Sequence, residues 1–180
     1  MHGPTMGGGL EWALYCDYRI ATTAKKTVLS LPEVKLGLMP GMAGTYHLPK
    51  LIGLPNSLDM ILTGKNIRPD KAKKMGLVDL VVDPASLESV AIRQAKGLVD
   101  GSVKKTQKKK GVMDYAEMVP QVRDYMFNKA KEGVDKATGG RMPAPYGILE
   151  VLKDNYGKDK STYLDAEATK LADLSETNES

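Results

Sequence analysis

The chain has 180 residues, 42% hydrophobic and 27% charged, with a formal net charge of +4 and a pI near 9.0. That is enough apolar material for one modest core, yet no run of 18 apolar residues occurs, so the sequence contains no membrane-spanning helix. A single cysteine, Cys16, excludes an internal disulfide framework, and two histidines, His2 and His47, supply no metal-ligand cluster.

In chain order, the first element is Gly7-Gly8-Gly9-Leu10-Glu11. Leu10, Ala13, Leu14 and Tyr18 recur at i, i+3, i+4 and i+8, which predicts a short helix with one buried face. Glycine admits positive φ and close approach of a ligand, and the first amides of a helix lack partners while facing the positive end of its dipole. The turn is therefore suited to an oxyanion. The bland reading, an ordinary glycine-rich turn with Glu11 as a first-turn acid, fits this stretch equally well. Cys16 reads as a buried structural cysteine close to that helix.

Thr27 to Leu31 reads as an apolar β run, followed by a Pro32-Glu33 break and a glycine-rich turn through Gly37, Gly41 and Gly44 into another helix. Glu11 and Glu33 each adjoin a glycine-rich turn. Paired carboxylates can act as acid and base in one reaction when their surroundings separate their proton affinities.

Short helices are predicted over 55–63 and 69–75, ended by Gly64 and Gly76, then a strand over 77–82. Asp83 fits an N-cap and Pro84 the first position of a helix whose apolar face comprises Leu87, Val90, Ala91, Ile92, Ala95 and Leu98, stopped at Asp100-Gly101. Ser102 to Lys110 reads as a solvated loop carrying Lys104, Lys105, Lys108, Lys109 and Lys110. Without interleaved aromatics it gives no support for nucleic-acid binding. A minor reading lets these lysines touch anionic lipid, at most a peripheral association. Helices follow over about 112–132, 144–156 and 162–175. Pro120 is expected to kink the first, and Ile148, Leu149, Val151 and Leu152, then Leu164, Ala168, Leu171 and Leu174, present apolar faces. Without a docking surface these helices should fray, above all at 175–180.

Several ordered motifs resemble one family. Gly7-Gly8-Gly9-Leu10-Glu11, Cys16-Asp17-Tyr18-Arg19-Ile20-Ala21 and Leu31-Pro32-Glu33 through Pro40-Gly41 are similar to the active-site half of the enoyl-CoA hydratase (crotonase) superfamily. The 22-residue interval between Glu11 and Glu33, the segment Leu62 to Asp79 and Met142-Pro143-Ala144-Pro145 resemble most the mitochondrial trifunctional α-subunit branch. The resemblance implies an α/β fold, the C-terminal part of a crotonase-like ββα spiral followed by a mostly helical tail. Its implied divisions are a partial hydratase domain over 1–100, a basic loop over 101–111 and a helical linker over 112–180. An N-terminally truncated spiral would leave strand edges unpaired.

The same resemblance implies an enoyl-CoA hydratase of fatty acid β-oxidation. Glu11 and Glu33 match the two glutamates that handle the water, Gly8 an oxyanion donor, and Gly41 a backbone position that helps hold the water. It implies an acyl-CoA substrate, no metal and no cofactor beyond the coenzyme A thioester. A thiolase β subunit or a second copy would be the partner, and the mitochondrion the location. Isomerases of the superfamily usually keep an acid only at the Glu33 position, so both acids favour hydration; dehalogenase and thioesterase branches rank lower. A noncatalytic remnant that binds a partner chain through its tail is the alternative. Departures from the usual loop are Met42, Ala43, Tyr46 and His47, with His2 where asparagine is common. Ala43 would be strained by about 1 kcal/mol if its φ is positive.

Overall fold

Short parallel strands crossed by helices form the frame of the computed structural model, which describes residues 1–104, 111 and 115–177. Strand β1 (Pro4–Met6) pairs in parallel with β3 (Val28–Ser30), placing Thr5 opposite Leu29. Strand β2 (Ile20–Thr22) pairs in parallel with β4 (Leu80–Val82), placing Ala21 opposite Val81. Parallel pairing requires long crossovers. Helix α1 (Gly8–Leu14) lies in the first, while α2 (Gly44–Ile52), α3 (Leu54–Thr63) and α4 (Pro69–Met75) lie in the second. Among the described residues each strand has one ladder partner; beyond the ladders Leu29 and Ile67 form an isolated bridge, and on the other edge of β2 the Met1 amine donates to the Ile20 carbonyl while the Met1 carbonyl accepts from the Thr22 amide.

Boundaries follow local chemistry. Gly64 and Gly76 adopt the left-handed conformation that ends α3 and α4, as their positions predict. The Asp83 side chain accepts from the Ala85 amide at 2.9 Å, and a 3-10 turn from Pro84 runs into α5 (Leu87–Asp100), stopped by Gly101. Three elements differ from their sequence patterns. Tyr18 lies beyond α1, which ends at Leu14. The strand expected over 77–82 begins only at Leu80, because the buried Arg19 side chain takes the Leu77 carbonyl at 2.9 Å and Asp79 accepts the Arg19 amide at 2.7 Å. The α5 face is also narrower than its periodicity suggests: Val90 and Gly97 are buried, whereas Ile92 and Ala95 are exposed.

The tail departs further. Pro120 begins α6 (Pro120–Thr138) instead of kinking a helix over 112–132, because the first turn needs no N–H from it. Helices α7 (Pro143–Asp154) and α8 (Lys160–Ser175) have the docking surface whose absence would leave them to fray. Both pack on α2, and Ile148 and Leu152 join Leu10, Leu48 and Ile61 in one core. Asp159 caps α8 by accepting from the Thr162 amide at 3.0 Å. The buried face of α8 is turned from the expected one: Tyr163, Glu167 and Leu174 are buried, Leu171 is half-buried and Ala168 is exposed. No described helix is long and apolar enough to cross a membrane. Lys105, Lys108, Lys109 and Lys110, and the final residues 178–180, lie outside the described residues.

Candidate active site

Two glycine-rich turns meet at the carboxylates. Gly7 precedes α1 with φ 56°, and its amide donates to the Ser30 carbonyl at 3.0 Å, tying the turn to β3. A Cβ at Gly7 would stand 3.2 Å from Glu33 Oε1, so this position needs glycine both for its φ and for the carboxylate beside it. Gly8 opens α1, where amides have no helical acceptor, and it is exposed. The second turn faces it: a Cβ at Gly8 would meet Met42 Sδ at 3.3 Å.

Glu11, one turn into α1, is 2% exposed, and its Oε1 accepts from the amides of Met42 at 2.8 Å and Gly44 at 2.7 Å. Those amides open α2, so the carboxylate sits at the positive end of a helix dipole. Burial raises the proton affinity of Glu11, and the amides of Met42, Gly44 and Gly41 oppose that rise.

Glu33 begins a 3-10 turn, Glu33–Leu36, and has a different environment. Its Oε2 is buried without a hydrogen-bond partner. Burial, against which only its own backbone amide acts, together with the charges of Glu11 and Glu167, pushes it from an ordinary 4.5 up to about 7. A carboxyl whose folded pKa is raised stabilises the fold fully below its unfolded value and progressively less as pH rises through the folded one. Wild type minus Glu33→Gln should therefore show a urea midpoint difference that falls between about pH 4.5 and pH 7; a flat difference would contradict the raised value.

Gly41 lies under Leu171 of α8, which a Cβ there would strike. Ala43 is fully buried with φ 67°, the one non-glycine residue with positive φ among those described, so the strain expected of it is present. Ala43→Val should lower stability by about 2 kcal/mol, since a β-branched residue is poorly tolerated in that conformation and the added methyl groups would enter a fully buried position. A urea titration reads this directly.

The remaining departures form packing rather than chemistry. The Tyr46 and His47 rings meet edge to face at 5.1 Å, with Tyr15 4.5 Å from His47 and Tyr163 5.4 Å from Tyr46. Burial, then the charges of Lys160 and Lys50, lowers the proton affinity of His47. His2 Nδ1 lies 3.0 Å from Thr22 Oγ1. Cys16, expected to be buried, is exposed, because α1 ends before it; its thiol lies 3.9 Å from the Trp12 carbonyl oxygen. Among the described residues no cluster of His, Cys, Asp and Glu is arranged to hold a metal ion. A cavity of about 850 Å³ lies between the end of α1, α2 and the helical tail, with Tyr15, Tyr46 and Tyr156 in its wall; neither Glu11 nor Glu33 lines it.

The third carboxylate, Glu167, escapes sequence reasoning. It accepts from the Ala43 amide at 2.7 Å, from the Thr45 amide at 3.3 Å, and from the Thr45 hydroxyl. The available signal was its place between Tyr163 and Leu174 on the buried side of α8, where an apolar residue would be the default.

A parallel-stranded α/β frame sets two carboxylates of differing environment against glycine-rich turns, an arrangement able to support acid–base chemistry. Residues 1–132 match the enoyl-CoA hydratase/isomerase family, and the chain belongs to that family. It is 43% identical to the fatty acid oxidation complex subunit alpha of Vibrio campbellii and 42% identical to that of Shewanella amazonensis, matching over 100% of its own length in both. It spans only 25% of each of these relatives. Among solved structures, an enoyl-CoA hydratase/isomerase from Pseudoalteromonas atlantica superposes with a TM-score of 0.60 at 19% identity, over 98% of this chain and 55% of that one. An enoyl-CoA hydratase from Mycobacterium smegmatis gives 0.51 at 28% identity, over 84% and 59%. The fold is thus the crotonase type with a helical tail.

Proposed function

We propose that this chain carries the site for hydrating a trans-2-enoyl-CoA to the 3-hydroxyacyl-CoA in fatty acid β-oxidation. The observation that carries the reading is the contrast between Glu11, whose Oε1 accepts two amides, and Glu33, whose buried Oε2 has none and whose proton affinity is raised to about 7. Amides favour the ionised form, so Glu11 is the base that takes a proton from water. The hydroxide adds to C3, Glu33 delivers its proton to C2, and the π electrons become the new C2–H bond. The Gly8 amide is the donor that this chain offers to the thioester oxygen as it gains charge, a contribution typically worth ~3 kcal/mol. Gly41, beside the Glu11 carboxylate, helps hold the water through its backbone. The reaction needs no metal or redox cofactor; the coenzyme A thioester is the substrate.

The family holds isomerases as well as hydratases, and two carboxylates in different states favour water addition over double-bond migration. The name of the Vibrio relative, a subunit alpha of a complex, supports a partner subunit for this protein. A thiolase β subunit and a mitochondrial address belong to the same proposal and rest on the trifunctional likeness. The decisive test is loss of enoyl-CoA absorbance when the purified chain meets a medium-chain trans-2-enoyl-CoA. Appearance of the 3-hydroxyacyl-CoA is expected; a folded chain that consumes no substrate would overturn the reading for this chain.

A further inference from the structure

We propose that Glu167, on the tail helix α8, is a positioning residue for the catalytic pair, holding the Gly41–Thr45 turn in the shape that presents its amides to Glu11. The proposal rests on the hydratase reading for its functional meaning. Its geometry stands independently.

The amides of this turn are shared alternately between two carboxylates. Met42 and Gly44 donate to Glu11 Oε1 at 2.8 and 2.7 Å, whereas Ala43 and Thr45 donate to Glu167 at 2.7 and 3.3 Å. Within this turn Ala43 has φ 67°, the left-handed conformation that a side chain rarely adopts. A non-glycine residue stays in that conformation only when its surroundings over-determine it. Glu167 provides that constraint with three hydrogen bonds to a carboxylate 1% exposed.

A second contact from the same helix fixes the same turn. Pro49 lies inside α2 and has no N–H, so the Thr45 carbonyl four residues earlier loses its helical partner. The Tyr163 hydroxyl donates to that carbonyl at 3.1 Å. Thr45 is therefore held at its amide, its hydroxyl and its carbonyl by two residues one helical turn apart on α8, while Leu171 packs over Gly41. An acid at a helix N-terminus could serve stability alone. What distinguishes Glu167 is that its two amide donors, Ala43 and Thr45, alternate along the turn with the two that hold Glu11, Met42 and Gly44.

The experiment compares Glu167→Ala, Glu167→Gln and Leu174→Ala in the full chain. Leu174 is buried on the same helix and has no polar contact with the turn, so its truncation reports loosened docking alone. Amide hydrogen exchange at Met42 and Gly44 is read by NMR, and kcat and KM for enoyl-CoA hydration are measured alongside. Exchange at those two amides should quicken about tenfold in Glu167→Ala relative to Leu174→Ala. The kcat should fall about tenfold with KM within about threefold, and Glu167→Gln, which keeps one acceptor, should recover part of both effects. Equal exchange in Glu167→Ala and Leu174→Ala overturns the proposal; if the alanine variant does not fold, wild-type exchange at Met42 and Gly44 in Glu167→Gln overturns it equally. Absence of hydration by folded wild type would instead sink the hydratase reading, and the exchange result would still judge the role of Glu167 in shaping the turn.

Discussion

Replacing Glu33 with glutamine should reduce kcat for enoyl-CoA hydration by about 10²–10⁴-fold while leaving KM near its wild-type value, because the amide keeps the size of the side chain but has no acidic proton to give. Stability should move the opposite way. The carboxyl of Glu33 has a buried oxygen without a partner, and burial together with the charges of Glu11 and Glu167 disfavours its ionised form. Above its pKa the wild type carries that unfavourable charge, whereas the glutamine variant is neutral. Near pH 8 the variant should therefore match or exceed the wild-type thermal midpoint while losing turnover. A loss of activity accompanied by a large loss of stability would identify Glu33 as structural, and turnover within tenfold of wild type would remove it from the role of acid. The combination of higher stability and lower activity is the signature of a site held in an unfavourable state for its chemistry.

The second large effect is expected at Gly44. A Cβ there would stand 2.6 Å from Glu11 Oε1 and 2.9 Å from the Pro40 Cβ, and φ at Gly44 is not positive, so the demand is for space alone. The Glu11 carboxylate cannot retreat without breaking its bonds to the Met42 and Gly44 amides. Gly44→Ala should lower kcat/KM by about 10²-fold through displacement of the base. It should also cost about 1–3 kcal/mol through overpacking. Gly133→Ala is the matched control: that glycine lies inside α6 with nothing within 4 Å, so alanine should be neutral or gain up to about 1 kcal/mol from helix propensity. Equal behaviour of the two alanine variants would show that the contact between Gly44 and Glu11 does not constrain the site.

How far the sequence discloses this molecule depends on the range of the forces involved. Pro69, Gly76, Asp83 and Gly101 act within a few residues, and each sits where its local chemistry says. Pro120 carried the same kind of local information but admits two outcomes, a kink or a start. Which one occurs is decided by what precedes it. Ala43 was legible only conditionally, since the strain depends on a φ that no composition reveals. Glu167 was hidden by a different mechanism: its partners lie in another part of the chain, and the apolar periodicity of α8 points to Ala168 instead. The aromatic packing around His47 likewise joins residues from three helices or their ends, so the departure from the family loop reads in sequence as damage and in space as a repacked neighbourhood.

The Ala43–Glu167 hydrogen bond joins residues 124 apart in sequence. Contacts of such separation form late, because a long loop must close before they return any free energy. On a ribosome adding roughly 5–20 residues per second, the turn that holds Glu11 would wait roughly 6–25 s for the residue that clamps it. Helices α1 and α2 can be made, and even docked, before the geometry of the carboxylate pair is set. A nascent chain halted between α5 and α8 would possess both glutamates without the Glu167 contacts to the Ala43 and Thr45 amides.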